Sequence, residues 1–274
     1  MRVMPTVAVL VLVLALPAAV RGQTPDERAA ARTIVAKHGP ALVTVLATVK
    51  IRMTMAGREA PPNEENIQSN ATLIAADGLA VMPLSALEPG AMMSSLFARM
   101  DSGAGGVDVK SELTNLRMRM ADGKEVPARV ALRDTDLDLA FLHPVEPLAA
   151  PAAFVDAPSA RVQPMDLLVV ISRLGEMAGW QASGTFVPVM AVLDKPRTAY
   201  FAAANGVGGA AFDTTGKFVG ITVFFSKGKS GSGGGSMSML TGGMNALDSL
   251  GLMPVVVPAD DIREVAKQAQ KGGH

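Results

Sequence analysis

From Ala47 to Met55 the chain alternates small or apolar residues with polar ones, the period of a strand with one face buried. The whole stretch Ala41–Met55 is rich in β-branched residues and reads as one long strand. Ala56–Ser69 is polar with a Pro-Pro pair and reads as a loop. Apolar pairs on either side of Asp77-Gly78 predict a hairpin over Ala71–Met82, and Asp122-Gly123 predicts a second over Asn115–Val130. Between them, Glu88–Glu112 reads as an irregular insertion rich in glycine, methionine and serine. Asp138–His143 is apolar enough for a buried strand, and Pro144–Pro158 has the proline and alanine content of a linker.

The pattern then repeats. Leu167–Ser172, Gln181–Leu193 and Ala199–Ala203 read as strands, followed by a glycine turn over Asn205–Gly209. Phe212–Phe225 is a hairpin turning at Thr215-Gly216, Lys227–Gly243 is a Gly/Ser loop, and Val255–Val257 is a last short strand. Thr24–Lys37 has helix signals: Thr24 as cap, Pro25 in the first turn, then Asp26 and Glu27 at the positive end of the dipole. Pro258 and two aspartates open a final helix over 259–270. Two sets of short strands with a helix at each end predict an all-β fold of two packed barrels.

The N-terminus changes the picture of where the protein works. Arg2 precedes an apolar run from Thr6 to Leu16, Pro17 breaks it, and Val20-Arg21-Gly22 follows. This is the layout of a secretory signal peptide over 1–22. The apolar part, about 14 residues, is short of the roughly 20 that a bilayer span needs. The mature chain, 23–274, is therefore expected to be soluble, periplasmic or extracellular, and off the membrane after cleavage. Composition narrows the chemistry further. The chain has 274 residues, 49% of them hydrophobic, and its 25 basic residues cancel 25 acidic ones, which gives no electrostatic case for nucleic acid. With no cysteine, thiol catalysis, zinc–thiolate sites, disulfides and lipoprotein anchoring are excluded. No cofactor or metal is expected. The Met-x-Met pairs Met53/Met55 and Met118/Met120 place two thioethers on one strand face, as a core does; Met237/Met239 lies in the Gly/Ser loop.

The order of motifs resembles the protease domain of the HtrA/Deg group of trypsin-like serine proteases over roughly residues 40–268. AADGLAV (Ala75–Val81) is similar to the hairpin before that family's catalytic histidine, and ADGKEVPARV (Ala121–Val130) to its next hairpin. RDTDLDLAFL (Arg133–Leu142) resembles the segment with the catalytic aspartate, and Asn205-Gly-Val-Gly-Gly-Ala stands where the family has Gly-Asn-Ser-Gly-Gly-Pro. The resemblance implies a trypsin-like double six-stranded β-barrel with short terminal helices. It places the first barrel at about 40–143, the linker at about 144–158 and the second barrel at about 159–257, with no PDZ domain after the last helix. It implies triad-equivalent positions at Ser85, Asp138 and Val207, an oxyanion-hole-like turn over Asn205, Gly206, Val207 and Gly208, and Phe201 near the base of a substrate pocket.

The chemistry does not follow the resemblance. Acyl transfer needs a nucleophile, a base and an orienting carboxylate. Valine has no nucleophile, and a serine hydroxyl does not titrate near neutral pH and cannot serve as the base. His38, His143 and His274 do not match the family position, and each reads as a surface or half-buried residue; no serine is paired with a lysine by spacing. Asp138 without its histidine is expected to cap backbone amides near the barrel junction. The resulting expectation is an exported, inactive protease homologue that binds a protein or peptide partner, with trimers possible by family resemblance. The alternative is an active serine endopeptidase with a non-standard catalytic arrangement.

Overall fold

The computed structural model describes residues 23–55, 57–90, 107–195, 197–204, 207–226 and 252–271. The expected signal peptide, Asn205, Gly206 and the loop 227–243 lie outside the described residues. No helix among the described residues is long and apolar enough to cross a membrane.

The chain begins with helix α1 (Pro25–His38), closed by a full capping box: Thr24 N–H donates to Glu27 Oε2 at 2.7 Å and Glu27 N–H to Thr24 Oγ1 at 3.2 Å. Seven strands follow: β1 (Leu42–Met55), β2 (Arg58–Glu59), β3 (Asn63–Leu73), β4 (Ala80–Pro83), β5 (Val107–Arg119), β6 (Glu125–Asp134) and β7 (Leu139–Pro144). Their order is β2-β1-β3-β4-β7-β6-β5, and β1 also pairs with β5. Six strands thus close a barrel, and β2 extends one rim. A one-turn helix, α2 (Leu84–Leu87), follows β4.

The second sheet contains β8 (Leu167–Arg173), β9 (Ala182–Pro188), β10 (Ala191–Leu193), β11 (Ala199–Phe201), β12 (Ala210–Asp213), β13 (Phe218–Ser226) and β14 (Leu252–Pro258). Its order is β10-β11-β14-β13-β12-β8-β9 among the described residues, a sheet curled into a half-barrel, and the two sheets together fit the expected double β-barrel. Helix α3 (Ala259–Lys271) ends the described chain. The fold is therefore mostly β, with a closed barrel and a curled half-barrel packed through one continuous core: Leu42, Leu73 and Met82 of the first share it with Ile171, Phe212 and Val257 of the second.

Two expectations are corrected. The expected loop 56–69 is largely strand, because β3 pairs with β1 from Leu42↔Thr72 to Ile51↔Asn63. Its outer half is exposed on a ribbon held by cross-strand charge, Lys50 to Glu64 at 3.5 Å, so it lacks the apolar alternation that signals a strand. His38 is 2% exposed, with its ring stacked on Phe212 at 4.4 Å, rather than lying at the surface. Burial, then the charge of Lys37, lowers its pKa.

A strained turn leads into β8. Asp166 N–H donates to Gln163 O at 3.1 Å, Pro164 follows Gln163, and Met165 has φ 76. That is the type II position that glycine usually fills. Met165 is 83% exposed, so its side chain returns little packing. Met165→Gly is expected to raise the unfolding free energy by about 0.5–1 kcal/mol, because the left-handed penalty exceeds the added chain entropy. Urea unfolding measures it, and a loss of stability would contradict the strain assignment.

Candidate functional site

Asp138 follows a tight turn in which Asp134 Oδ1 accepts from the N–H groups of Asp136 and Leu137, both at 3.0 Å. Leu137 is fully buried and anchors the turn. Asp138 then takes a left-handed conformation, φ 54, which short polar residues tolerate better than others. This conformation turns both its carbonyl and its carboxylate toward the start of α2. Pro83 precedes α2 and supplies no side-chain cap. Asp138 does that work: its carbonyl accepts from Leu84 N–H at 2.9 Å and its Oδ1 from Ser85 N–H at 2.7 Å. Two orphan donors of the helical turn are thereby satisfied from 53 residues away.

The second carboxylate oxygen, Oδ2, accepts the Ser85 hydroxyl at 2.7 Å. The backbone N–H of Phe224, on the half-barrel, also favours the charged carboxylate. Strand geometry explains it. Thr222 N–H points to Gly209 O, and Phe224, two residues on, points the same way beyond the end of the β12 pairing at Ile221. Asp138 thus caps α2 and lies near β13 at the junction. Burial raises its pKa to about 6; the Ser85 hydroxyl and amide and the Phe224 amide pull it down and do not cancel the burial.

The sign of the pH effect follows. The folded-state pKa lies above the unfolded one, so the folded state holds the proton more tightly. The stabilisation from this group is complete below about pH 4 and is lost as pH rises through about 6. The span corresponds to about 3 kcal/mol. Asp138→Asn is expected to remove this slope: the difference in unfolding free energy between parent and variant changes between pH 4 and 6.5. A pH-independent difference would contradict the assignment.

Val207 is half-buried, and Gly208 beside it is wedged against the first barrel. Gly208 has φ 78, its N–H donates to Thr222 O at 2.7 Å, and its carbonyl accepts from Thr72 Oγ1 at 3.4 Å. A Cβ here would stand 2.2 Å from Asn70 O and 3.2 Å from Pro83 Cδ. The turn carrying Val207 therefore abuts the end of β4, two residues before Ser85. Gly209 is held in turn by Thr222, whose Oγ1 accepts from Gly209 N–H at 3.0 Å. Asn205 and Gly206 fall outside the described residues, so only the Val207–Gly208 half of the expected turn is seen. Phe201 is half-buried in β11 and packs against the core.

The structure brings Ser85 and Asp138 into direct contact and sets the Val207 turn close by. His143 is elsewhere: its Nδ1 donates to Pro144 O at 3.0 Å and its Nε2 lies 3.5 Å from Asp77. No protein-family model matches the chain, and no curated protein matches it.

The arrangement offers a carboxylate and a hydroxyl whose bonding is local and capping. One carboxylate takes both the amide and the hydroxyl of the same serine, as at a helix N-terminus. Sequence reading missed Arg173, at the end of β8. Its Nε donates to Leu42 O (3.0 Å), Nη1 to Trp180 O (2.7 Å) and Nη2 to Gly39 O (2.8 Å), while its N–H donates to Asn70 Oδ1 at 2.9 Å. A lone arginine after an apolar run carries no signal that its partners are carbonyls far away in sequence.

Proposed function

We propose that the chain is an exported, trypsin-like double-barrel protein of the HtrA/Deg type that does not cleave peptides and acts as a binding, scaffold or regulatory protein in the periplasm or outside the cell. The observation that carries this reading is the Ser85–Asp138 pair. Where the resemblance puts the general base, the carboxylate instead holds a hydroxyl and an amide of one residue, and the turn at the nucleophile position bears Val207. A serine held this way has no proton acceptor with a relay to a leaving group; the barrier reduction that acyl transfer draws from a histidine is missing. The junction keeps its shape through structural bonds, which is what a binding scaffold needs.

A fluorophosphonate probe tests the reading. The mature chain, residues 23–274, is expected to show no covalent labelling at Ser85 or any other serine by peptide mass mapping. Stoichiometric labelling of Ser85, abolished in Asp138→Ala while the fold is retained, would establish the alternative: a serine hydrolase with an aspartate base.

A further inference from the structure

Helix α1 holds to the rest of the molecule by a narrow stripe. Ala31, Ile34, Val35 and His38 stand at the i, i+3, i+4 and i+7 positions of one helix face. Of the 14 residues only Ile34 and His38 are buried. A helix of this length is marginal in water without packing, so its order depends on those few side chains. The receiving surface is cut to fit. Val35 Cγ2 lies 2.7 Å from where a Cβ at Gly184 would stand, and Ile34 Cγ1 lies 3.7 Å from the same point at Gly216. Gly184 belongs to β9, the last strand in the order of the second sheet.

The stripe carries a titratable ring where packing calls for an apolar one. The His38 ring is 2% exposed and lies 4.4 Å from the Phe212 ring, with the planes 21° apart. A proton on it would have to leave water and would meet only the π face of Phe212. The neighbouring elements offer no anion. Lys37, adjacent on α1, opposes a proton. The Gly39–Ala41 turn and β9 carry no titratable side chain. Arg173, at the end of β8, is positive and donates to Gly39 O, one residue on from His38. On the β12–β13 hairpin Lys217 is basic, and Asp213 is turned inward: its Oδ1 accepts from the N–H groups of Thr215 and Lys217 and from Thr215 Oγ1.

The negative end of the helix dipole would favour a proton on a solvated His38. In the docked helix burial outweighs it, Lys37 adds to the effect, and the pKa falls below the ordinary histidine value. The docked state therefore takes up a proton less readily than the released one. Its stabilisation is complete above the ordinary histidine range and is lost as pH falls through that range. Asp138 shifts the opposite way, so acid loosens the helix without loosening the junction.

We propose that α1 is an acid-released latch: a proton on His38 undocks the helix from the half-barrel and uncovers β9, while both barrels stay folded. The inference goes beyond the proposed function and is independent of it, since neither Ser85 nor Asp138 takes part.

Hydrogen–deuterium exchange of the mature chain, residues 23–274, tests the proposal, with protection normalised to the unstructured chain at each pH. Between about pH 7.5 and about pH 5, across the histidine range, the amides of α1 are expected to lose protection while those of β4 and β7 keep theirs. His38→Phe keeps a ring on Phe212 and has no site for the proton, so its α1 is expected to stay protected at both values. Retained α1 protection in the parent at the lower pH, the same loss in His38→Phe, or simultaneous loss in β4 and β7 would overturn the proposal. An NMR titration of the His38 ring in the parent decides the matter even if His38→Phe docks poorly. The ring is expected to titrate below the ordinary histidine value, with the α1 amide shifts following the same curve; titration at or above that value overturns the latch.

Discussion

Gly208→Ala is expected to lower the unfolding free energy by about 3 kcal/mol or more. Two independent penalties combine. The left-handed backbone, φ 78, costs an alanine about 1–2 kcal/mol. The new Cβ would also stand 2.2 Å from the Asn70 carbonyl oxygen and 2.9 Å from its carbon, which are backbone atoms of a paired strand. They retreat only if β3 shifts against β1, and overpacking of that kind costs about 1–3 kcal/mol. Val207→Ala, next in the chain, trims a half-buried side chain and is expected to cost about 1 kcal/mol. Urea unfolding of the two variants side by side separates the cases. Equal, small losses would show that the turn does not press on the first barrel.

Arg173→Met is expected to cost about 3–5 kcal/mol. Methionine matches much of the stem but removes the guanidinium donors from the carbonyls of Leu42, Trp180 and Gly39, of which Gly39 keeps the Leu42 N–H. Gly39 and Leu42 are buried, so water does not replace the lost bonds cheaply. The same guanidinium spans the entry to the first barrel and the β8–β9 hairpin of the second, so its loss loosens the junction as a whole. Burial lowers the pKa of Arg173, and the dipoles of three carbonyls hold its charge. Arg173→Lys is expected to recover less than half of the loss, because one ammonium cannot reproduce a three-way fork. Full recovery by lysine would mean that charge, rather than geometry, is what the site requires.

The tight turns were legible in the sequence because each is written in two adjacent residues. Asp77-Gly78, Asp122-Gly123 and Thr215-Gly216 all have glycine at positive φ, 91, 86 and 84. The helix start at Thr24 was legible for the same reason: cap, proline and acidic first turn are local signals. The outer half of β3 was not, because its side chains face water on both sides of a ribbon and its pairing is set by β1. How far the second sheet curls was not legible either; strand count along the chain does not say whether the last edge meets the first.

At the candidate site, Ser85, Asp138 and Val207 were marked by motif order alone. What Asp138 does there depends on contacts from residues 84, 85 and 224, which no local pattern encodes. Its capping role was expectable from chemistry, since a carboxylate with no basic partner seeks backbone donors. Its left-handed backbone and the nearness of the Phe224 N–H were not. Arg173 and the buried His38 were misread or passed over because their surroundings are assembled from distant segments.

The most direct test of the account is hydrolysis of a quenched, mixed-sequence peptide library by the mature chain, residues 23–274, beside Ser85→Ala and Asp138→Ala. The account predicts no turnover above buffer from any of the three. Turnover by the parent that vanishes in both variants, with their folds intact, would contradict it and make Ser85 and Asp138 a working catalytic pair.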